Sequence, residues 1–186
     1  MKIALVCPAS LPATQFGGIM FLCVDIAKEL SDQGHEIEIF TTDLDFANNA
    51  KTFNKKLPKI EQFDNYKINR THTWFSYSLF FINPKIYSEI KKFCPDIIHS
   101  IGVRSFQSFM AAMVSKKENI PLIISDQGGL TTHPDLDNVN IIKKFLFKLQ
   151  EPMIKYIVNQ ATKISVANEY VKKIFETYCD RSKITI

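Results

Sequence analysis

Arginine, glycine and cysteine are sparse in this chain, and no long apolar run occurs in it. Of 23 basic residues only Arg70, Arg104 and Arg181 are arginine, set against 19 acidic residues for a formal charge of +4. Proteins that read base sequence lean on arginine forks to guanine, so no nucleic-acid partner is expected. A mild lysine excess reads as a solvated surface, compatible with anionic phosphates or lipid head groups. The four cysteines, Cys7, Cys23, Cys94 and Cys179, are scattered and form no C-x-x-C pair. That excludes a short-spaced zinc site and a disulfide scaffold and reads as buried free thiols in a reducing compartment. Neither G-x-G-x-x-G nor G-x-x-x-x-G-K-[ST] is present, so a dinucleotide fingerprint and a P-loop are both unsupported. No Ser or Cys sits in a nucleophile elbow and the histidines lack metal-ligand spacing; neither a metal nor a resident cofactor is expected. Met1-Lys2 leads into Ile3–Cys7, too short for a signal sequence, and nothing approaches the ~20 apolar residues of a membrane span. The localisation expected is cytoplasmic, and the Asn69-Arg70-Thr71 sequon then carries no glycan.

What is present is globular. Hydrophobic residues make up 46% and charged residues 23%, with Gly 6 and Pro 8, and a chain of this length amounts to about one domain. Short β-rich runs alternate with amphipathic helical ones. Lys2–Cys7 is continuously apolar after its first residue, the mark of a strand buried on both faces. A loop follows through Pro8 to Gly17-Gly18. Met20, Cys23, Val24, Ala27 and Leu30 then recur at helical spacing, with Gly34 as the C′ residue. Glu36–Thr42 alternates as a second strand, completing a βαβ unit. Asp43–Asn65 is polar and without period, and reads as a surface excursion. Tyr66–Trp74 reads as a strand, Pro84–Phe93 as a helix, Asp96–Ser100 as a strand and Arg104–Lys117 as a helix. Ile120–Ser125 is another buried strand, and a lysine-studded helix over about 140–160 is interrupted or kinked at Pro152. Lys163–Ala167, Glu169–Tyr178 and Lys183–Ile186 complete the alternation as strand, helix, strand. The last of these has no element after it, which suggests half of something larger.

Repeated βα units predict an α/β, Rossmann-like, mainly parallel sheet with helices on both faces. Ligands of such sheets bind beyond the carboxyl ends of the strands, where strand order reverses. That rule selects the loops after Cys7, Ser100, Ser125 and Ala167. Gly17 and Gly18 precede a helix there, and its unpaired N–H groups suit a phosphate; a turn needing positive φ is the plain alternative. His99 is read as ending its strand on the ligand edge, with a packed histidine as the alternative, and Arg104 as opening the next helix and holding an anion. Asp126, Gln127, Gly128 and Gly129 form a second glycine loop. Asp126 is read as binding sugar hydroxyls or acting as a base, against an Asx turn as the alternative. His133 continues that loop and is placed to close over a site. Two further stretches read as core faces with solvated backs: the uncharged, aromatic Trp74–Ile82, and Ile142–Val158 with its interleaved lysines. Their sharper readings are an apolar acceptor groove and a basic helix lying at a membrane surface.

With these residues in order, the chain resembles the N-terminal half of family 4 glycosyltransferases, retaining enzymes with two Rossmann-like domains (the GT-B fold). The resemblance spans essentially all 186 residues as a single domain. It rests on the opening through Gly17-Gly18, on Leu30 with Gly34-His35-Glu36-Ile37, on Pro95-Asp96-Ile97-Ile98-His99, on Pro121–Gly129, and on Lys163 onward. It implies an acceptor-side domain, with Gly17 and Gly18 near the donor diphosphate. Its partners would be a nucleotide-sugar donor as co-substrate and a glycan or lipid-linked acceptor, with peripheral membrane contact. The chain departs from the family at two positions: Ile101 stands where an H-x-H pair would have its second histidine, and Gln127 where a histidine commonly precedes glycine. The donor-binding C-terminal domain would begin beyond Ile186, so the chain alone is expected not to transfer sugar. A self-contained Rossmann-like binding or regulatory module is the alternative; a nucleotide-dependent oxidoreductase or epimerase ranks lower, lacking the dinucleotide fingerprint.

Overall fold

Chain direction and the handedness of its crossovers organise the molecule. The computed structural model describes residues 1–47, 52–128, 130 and 141–186. Strand β1 (Lys2–Val6) leads through helix α1 (Gly18–Asp32) to β2 (Glu36–Thr42). After two short pairs, β3 (Leu44–Asp45) with β4 (Thr52–Phe53) and β5 (Ile60–Phe63) with β6 (Tyr66–Thr71), comes the hairpin of β7 (Phe75–Tyr77) and β8 (Phe80–Ile82). Then follow α2 (Lys85–Phe93), β9 (Ile97–Ile101), α3 (Phe106–Glu118), β10 (Leu122–Asp126), α4 (Ile141–Gln160), β11 (Lys163–Val166), α5 (Glu169–Phe175) and β12 (Ile184–Thr185).

Eight strands form one sheet in the order β12-β11-β10-β9-β1-β2-β6-β5. All neighbours are parallel except β5, which runs antiparallel to β6 at the edge. From β1 the chain first moves one way, to β2, and later returns to β9 on the other flank. Right-handed crossovers therefore send α1 to one face and the returning helices to the other. The core records this asymmetry. Ile3, Leu5 and Cys7 of the first strand and its end pack with Cys23 and Ala27 of α1. Ala4 and Val6 join Ile86 and Ile90 of α2, Ala111 and Val114 of α3, Ile154 and Ile157 of α4, and Val171 and Phe175 of α5. β1 is buried on both sides, which is why its sequence does not alternate.

Most expected elements lie within a few residues of their observed bounds. Gly34 follows the Gln33 cap of α1 with φ +84°, where a side chain would be strained. Helix α4 runs on through Pro152. In its described part Ile154, Ile157 and Val158 are buried and Lys155 is exposed, so the core-face reading holds there. The side chains of 141–149, with Lys143, Lys144 and Lys148, lie outside the described residues.

Three expectations are corrected. The polar stretch after β2 is not merely an excursion: Ile60–Phe63 joins the sheet as β5, although its side chains are exposed or half-buried, so burial left no pattern in the sequence. Trp74–Ile82 is a hairpin rather than a core face, with Phe81 buried but Trp74, Phe75, Tyr77 and Leu79 exposed. All four cysteines are free thiols, yet only Cys7 and Cys23 are buried, while Cys94 is exposed and Cys179 half-buried. Contact with Cys7, together with burial, pushes the Cys23 thiol well above its ordinary value. Among the described residues no helix is long and apolar enough to cross a membrane.

His99 is a fourth correction. It lies in the middle of β9, level with Leu5 and Ile123, and not at the strand's end. Its ring faces the α1 side of the sheet, in a cavity of about 560 Å³ lined by Ile3, Ile26, Leu30, Ile97 and Ile123 together with Asp25 and Glu29 of α1. Its Nε2 is 2.8 Å from Ser125 Oγ. Burial pushes its pKa down to about 4 from the ordinary 6.5. Between those values the unfolded chain binds a proton that the native protein excludes, so stability falls as pH drops through that window. The loss expected from His99 is about 3 kcal/mol in full. Urea unfolding at pH 7 and near pH 4 checks it. His99→Gln is expected to flatten the slope relative to the parent chain, and an unchanged slope contradicts this account.

Candidate functional site

Strand order reverses at β1, between β9 and β2, so the crevice of an open parallel sheet lies beyond the carboxyl ends of β1 and β9. On one side is the loop from Pro8 to Gly17. Gly17 has φ +107° and ψ −166°, backbone that only glycine adopts readily, and it caps α1 without any side-chain hydrogen bond. By contrast, α3 and α5 are capped by Ser105 and Asn168, whose side chains accept from Ser108 N and Val171 N. Met20 N donates to Gly17 O at 3.1 Å, and the N–H groups of Gly18 and Ile19 lie at the crevice end of α1 without a side-chain cap, with the positive end of the helix dipole behind them. A Cβ at Gly17 or Gly18 would meet nothing within 4 Å, so the space before these residues is open.

The opposite wall follows β9. Gly102, at φ +85°, lies against the start of α1: a Cβ there would stand 3.9 Å from Ile19 Cδ1. Its N–H donates to Ser125 O at 2.7 Å. Asp126, fully buried at the end of β10, accepts from Val103 N at 3.3 Å and from Gly128 N at 3.1 Å. The second of these bonds closes an Asx turn. Asp126 thus joins the loops after β9 and β10, and the expectation that it meets sugar hydroxyls or acts as a base is corrected to this positioning role: its carboxylate is inside, holding backbone. Gln127 beside it is exposed and Gly128 has φ +93°. Arg104 lies two residues ahead of α3 and does not open it; it is half-buried, and burial pushes its guanidinium pKa down while Tyr178 and Asp126 oppose the shift. Gly129 and His133 lie outside the described residues. The structure thus gathers Gly17, Gly18, Arg104, Gln127 and Gly128 on one rim, and leaves His99 below it.

Three rim residues were passed over in the sequence. Asp43 and His72 directly follow β2 and β6, so the carboxyl-end rule that selected four other loops selects these as well. Asp43 is buried; its Oδ1 accepts from Thr73 N at 3.0 Å and its Oδ2 from His72 Nδ1. A carboxylate only accepts, so this bond places a proton on Nδ1 and fixes the orientation of the half-buried ring. Arg70, only 4% exposed, is the third. Its Nε and Nη2 donate to Leu11 O at 3.2 and 2.7 Å, its Nη1 to Pro58 O at 3.1 Å, and Nη2 pairs with Glu61 at 2.7 Å. One side chain of β6 thereby holds the glycine loop and the approach to β5. Nothing in a lone arginine of a β-rich run signals that.

The family model for Glycosyltransferase Family 4 matches residues 16–186. No curated protein sequence matches the chain. Among solved structures, sucrose-phosphate synthase from Thermosynechococcus elongatus superposes with TM-score 0.62 at 13% identity, covering 99% of this chain and 47% of that one. HepE of Anabaena in complex with UDP-glucose gives 0.57 at 17% identity, covering 100% and 43%. MurG of Acinetobacter baumannii gives 0.50 at 12%, covering 89% and 41%. At these identities the likeness is one of fold, and the chain spans less than half the length of each.

Two variant pairs test the rim. Gly17→Ala is expected to cost about 1–3 kcal/mol, because the residue must keep a backbone conformation that L side chains resist. Gly18→Ala, inside the helix and in open space, is expected to be neutral or to gain up to about 1 kcal/mol. Urea unfolding of both reads the difference, and equal effects contradict the assignment. Arg70→Met strands the carbonyls of Leu11 and Pro58 and is expected to cost about 2–4 kcal/mol, with faster proteolysis in the Pro8–Gly17 loop. Glu61→Gln, at the half-exposed end of the pair, is expected to cost under about 1 kcal/mol.

Proposed function

As the chain belongs to glycosyltransferase family 4, we propose that it is the acceptor-side half of an enzyme that transfers sugar from a nucleotide-sugar donor to a glycan or lipid-linked acceptor. The observation that carries this reading is the α1 N-terminus behind Gly17, without a side-chain cap and facing the Gly102 loop across the point where strand order reverses. N–H donors and a positive dipole end at that place suit the charge of a diphosphate, the group that leaves when sugar is transferred. UDP-glucose bound to HepE, a protein of like fold, supports a nucleotide sugar as the donor.

In this reading the two glycines supply backbone donors and close approach, and Arg104 and Gln127 present an anion contact and an amide from the far wall. His72, with its ring turned by Asp43, presents Nε2 to an acceptor hydroxyl. No resident cofactor or metal is required of these residues; the nucleotide sugar is a co-substrate. Efficient transfer needs both substrates aligned in a dry cleft. One wall of such a cleft binds weakly and does not turn over, so the chain alone is proposed to be inactive. Work on a lipid-linked acceptor would bring the enzyme to the cytoplasmic face of a membrane.

Titration of the isotopically labelled chain with UDP tests the site. Amide resonances of Gly17, Gly18, Ile19 and Gly102 are expected to move, with a Kd on the order of millimolar, and Gly18→Val is expected to suppress the movement without unfolding the protein. Shifts confined to other parts of the chain contradict the site. Release of UDP from UDP-glucose by the chain alone contradicts the proposed inactivity.

A further inference from the structure

The β7–β8 hairpin holds four large side chains in solvent: Trp74 is 65% exposed, Phe75 59%, Tyr77 49% and Leu79 60%. Single exposed apolar residues are ordinary on protein surfaces, but four within six positions make a patch. Residues 74–82 contain no charged side chain, and the remainder of the tip is Ser76 and Ser78.

The patch projects from a fastened base. Phe81 is fully buried and packs against Phe16 and Phe53, with ring centroids at 6.0 and 5.3 Å. Phe80 meets Phe106 edge-on at 6.4 Å. Gln107 of α3 donates to Phe81 O at 2.9 Å and to Asn83 Oδ1 at 2.7 Å, and Asn83 donates to Thr71 Oγ1 at 2.7 Å. The base is therefore fastened to α3 and to the end of β6, while β7 and the turn project their apolar groups. Lysines precede and follow the hairpin in the chain. Lys55 and Lys56 are exposed shortly after Phe53, and exposed Lys85 follows β8. Of the two acids between β2 and Lys55, Asp43 is engaged by His72 and Thr73 and Asp45 by Asn54 at 2.9 Å.

We propose that this hairpin inserts into the interface of an anionic lipid bilayer, with Trp74, Phe75, Tyr77 and Leu79 at the boundary between head groups and acyl chains and Lys55, Lys56 and Lys85 over lipid phosphates. Tryptophan and tyrosine are the side chains that settle at that depth, where one end is apolar and the other wet. Basic residues beside them add attraction to anionic head groups. The inference differs from a basic interfacial helix in both element and chemistry, and it stands whether or not the rim handles sugar.

Trp74 is the only tryptophan of the chain, so intrinsic fluorescence reports this hairpin alone. The probes are vesicles of phosphatidylcholine alone and of phosphatidylcholine mixed with phosphatidylglycerol, each with and without brominated acyl chains. With the mixed vesicles Trp74 emission is expected to shift to the blue and to be quenched by bromine, less so with phosphatidylcholine alone. Salt is expected to weaken binding without abolishing it. The variant Phe75→Ser/Tyr77→Ser/Leu79→Ser, altered only at exposed positions, is expected to keep its circular dichroism and lose about tenfold or more in vesicle sedimentation. Lys55→Glu/Lys56→Glu/Lys85→Glu is expected to lose the preference for phosphatidylglycerol. An unchanged Trp74 spectrum with folded protein overturns the proposal, as does undiminished sedimentation of the serine variant. A blue shift that follows protein concentration without vesicles also overturns it, since the patch then meets protein. The UDP titration involves no lipid, so failure of the transferase reading is seen separately.

Discussion

The direction of the chain at β1 governs everything else in this molecule. β1 lies inside the sheet, and the chain leaves it for β2 on one flank and comes back to β9 on the other. A right-twisted strand accepts only right-handed crossovers, so the reversal sends α1 to one face and α2 to α5 to the other. It also separates the loops after β1 and β9, which diverge to opposite faces and leave a crevice between them. The start of α1 opens onto that crevice because the loop from Pro8 must deliver the chain to the α1 face. A rim with a crevice is thus a consequence of strand order before any side chain is chosen.

Buried polar side chains then shape the rim. Arg70 binds the carbonyl of Leu11 from inside the sheet, Asp126 ties the loops after β9 and β10 together, and Asp43 fixes Thr73 and the ring of His72. Loops seldom lie inward, since their backbone groups would lose water without replacement. Here charged side chains supply the replacement, which lets irregular backbone sit at the sheet's edge in a defined shape. The same logic separates two kinds of polar residue: a carboxylate that is fully inside and bonded to backbone positions a loop, and the exposed amide or half-buried ring beside it stays reachable from solvent.

The elements that could be read in advance are those that bury apolar side chains on at least one face. β1, β2, β10 and α1 bury a face or both faces, and their apolar spacing shows it. β5 buries little, being an edge strand half open to solvent, so Ile60–Phe63 resembles the polar stretch around it. His99 was misplaced by two residues, and in a strand that distance separates a ligand edge from an apolar interior. Asp126 illustrates the ambiguity of a strand-end acid, which suits a hydroxyl ligand and an Asx turn equally until its neighbours are known. Trp74–Ile82 misled for a related reason: an uncharged aromatic run ordinarily goes inside, and only the seating of Phe81 between Phe16 and Phe53 and the bonds of Gln107 show that this one is fastened along β8 with β7 and the turn outside.

Local sequence determined the alternation of strand and helix, the parallel α/β class, the glycine loop ahead of α1 and the order of motifs shared with family 4, since each depends on residues close together in the chain. Tertiary structure alone decided which polar groups became scaffolding. Arg70 meets Leu11, Asp43 meets His72, and Val103 meets Asp126 across separations of 59, 29 and 23 residues. No spacing rule encodes such meetings, because they come from the lateral order of strands. That order is set when the whole sheet buries both faces at once.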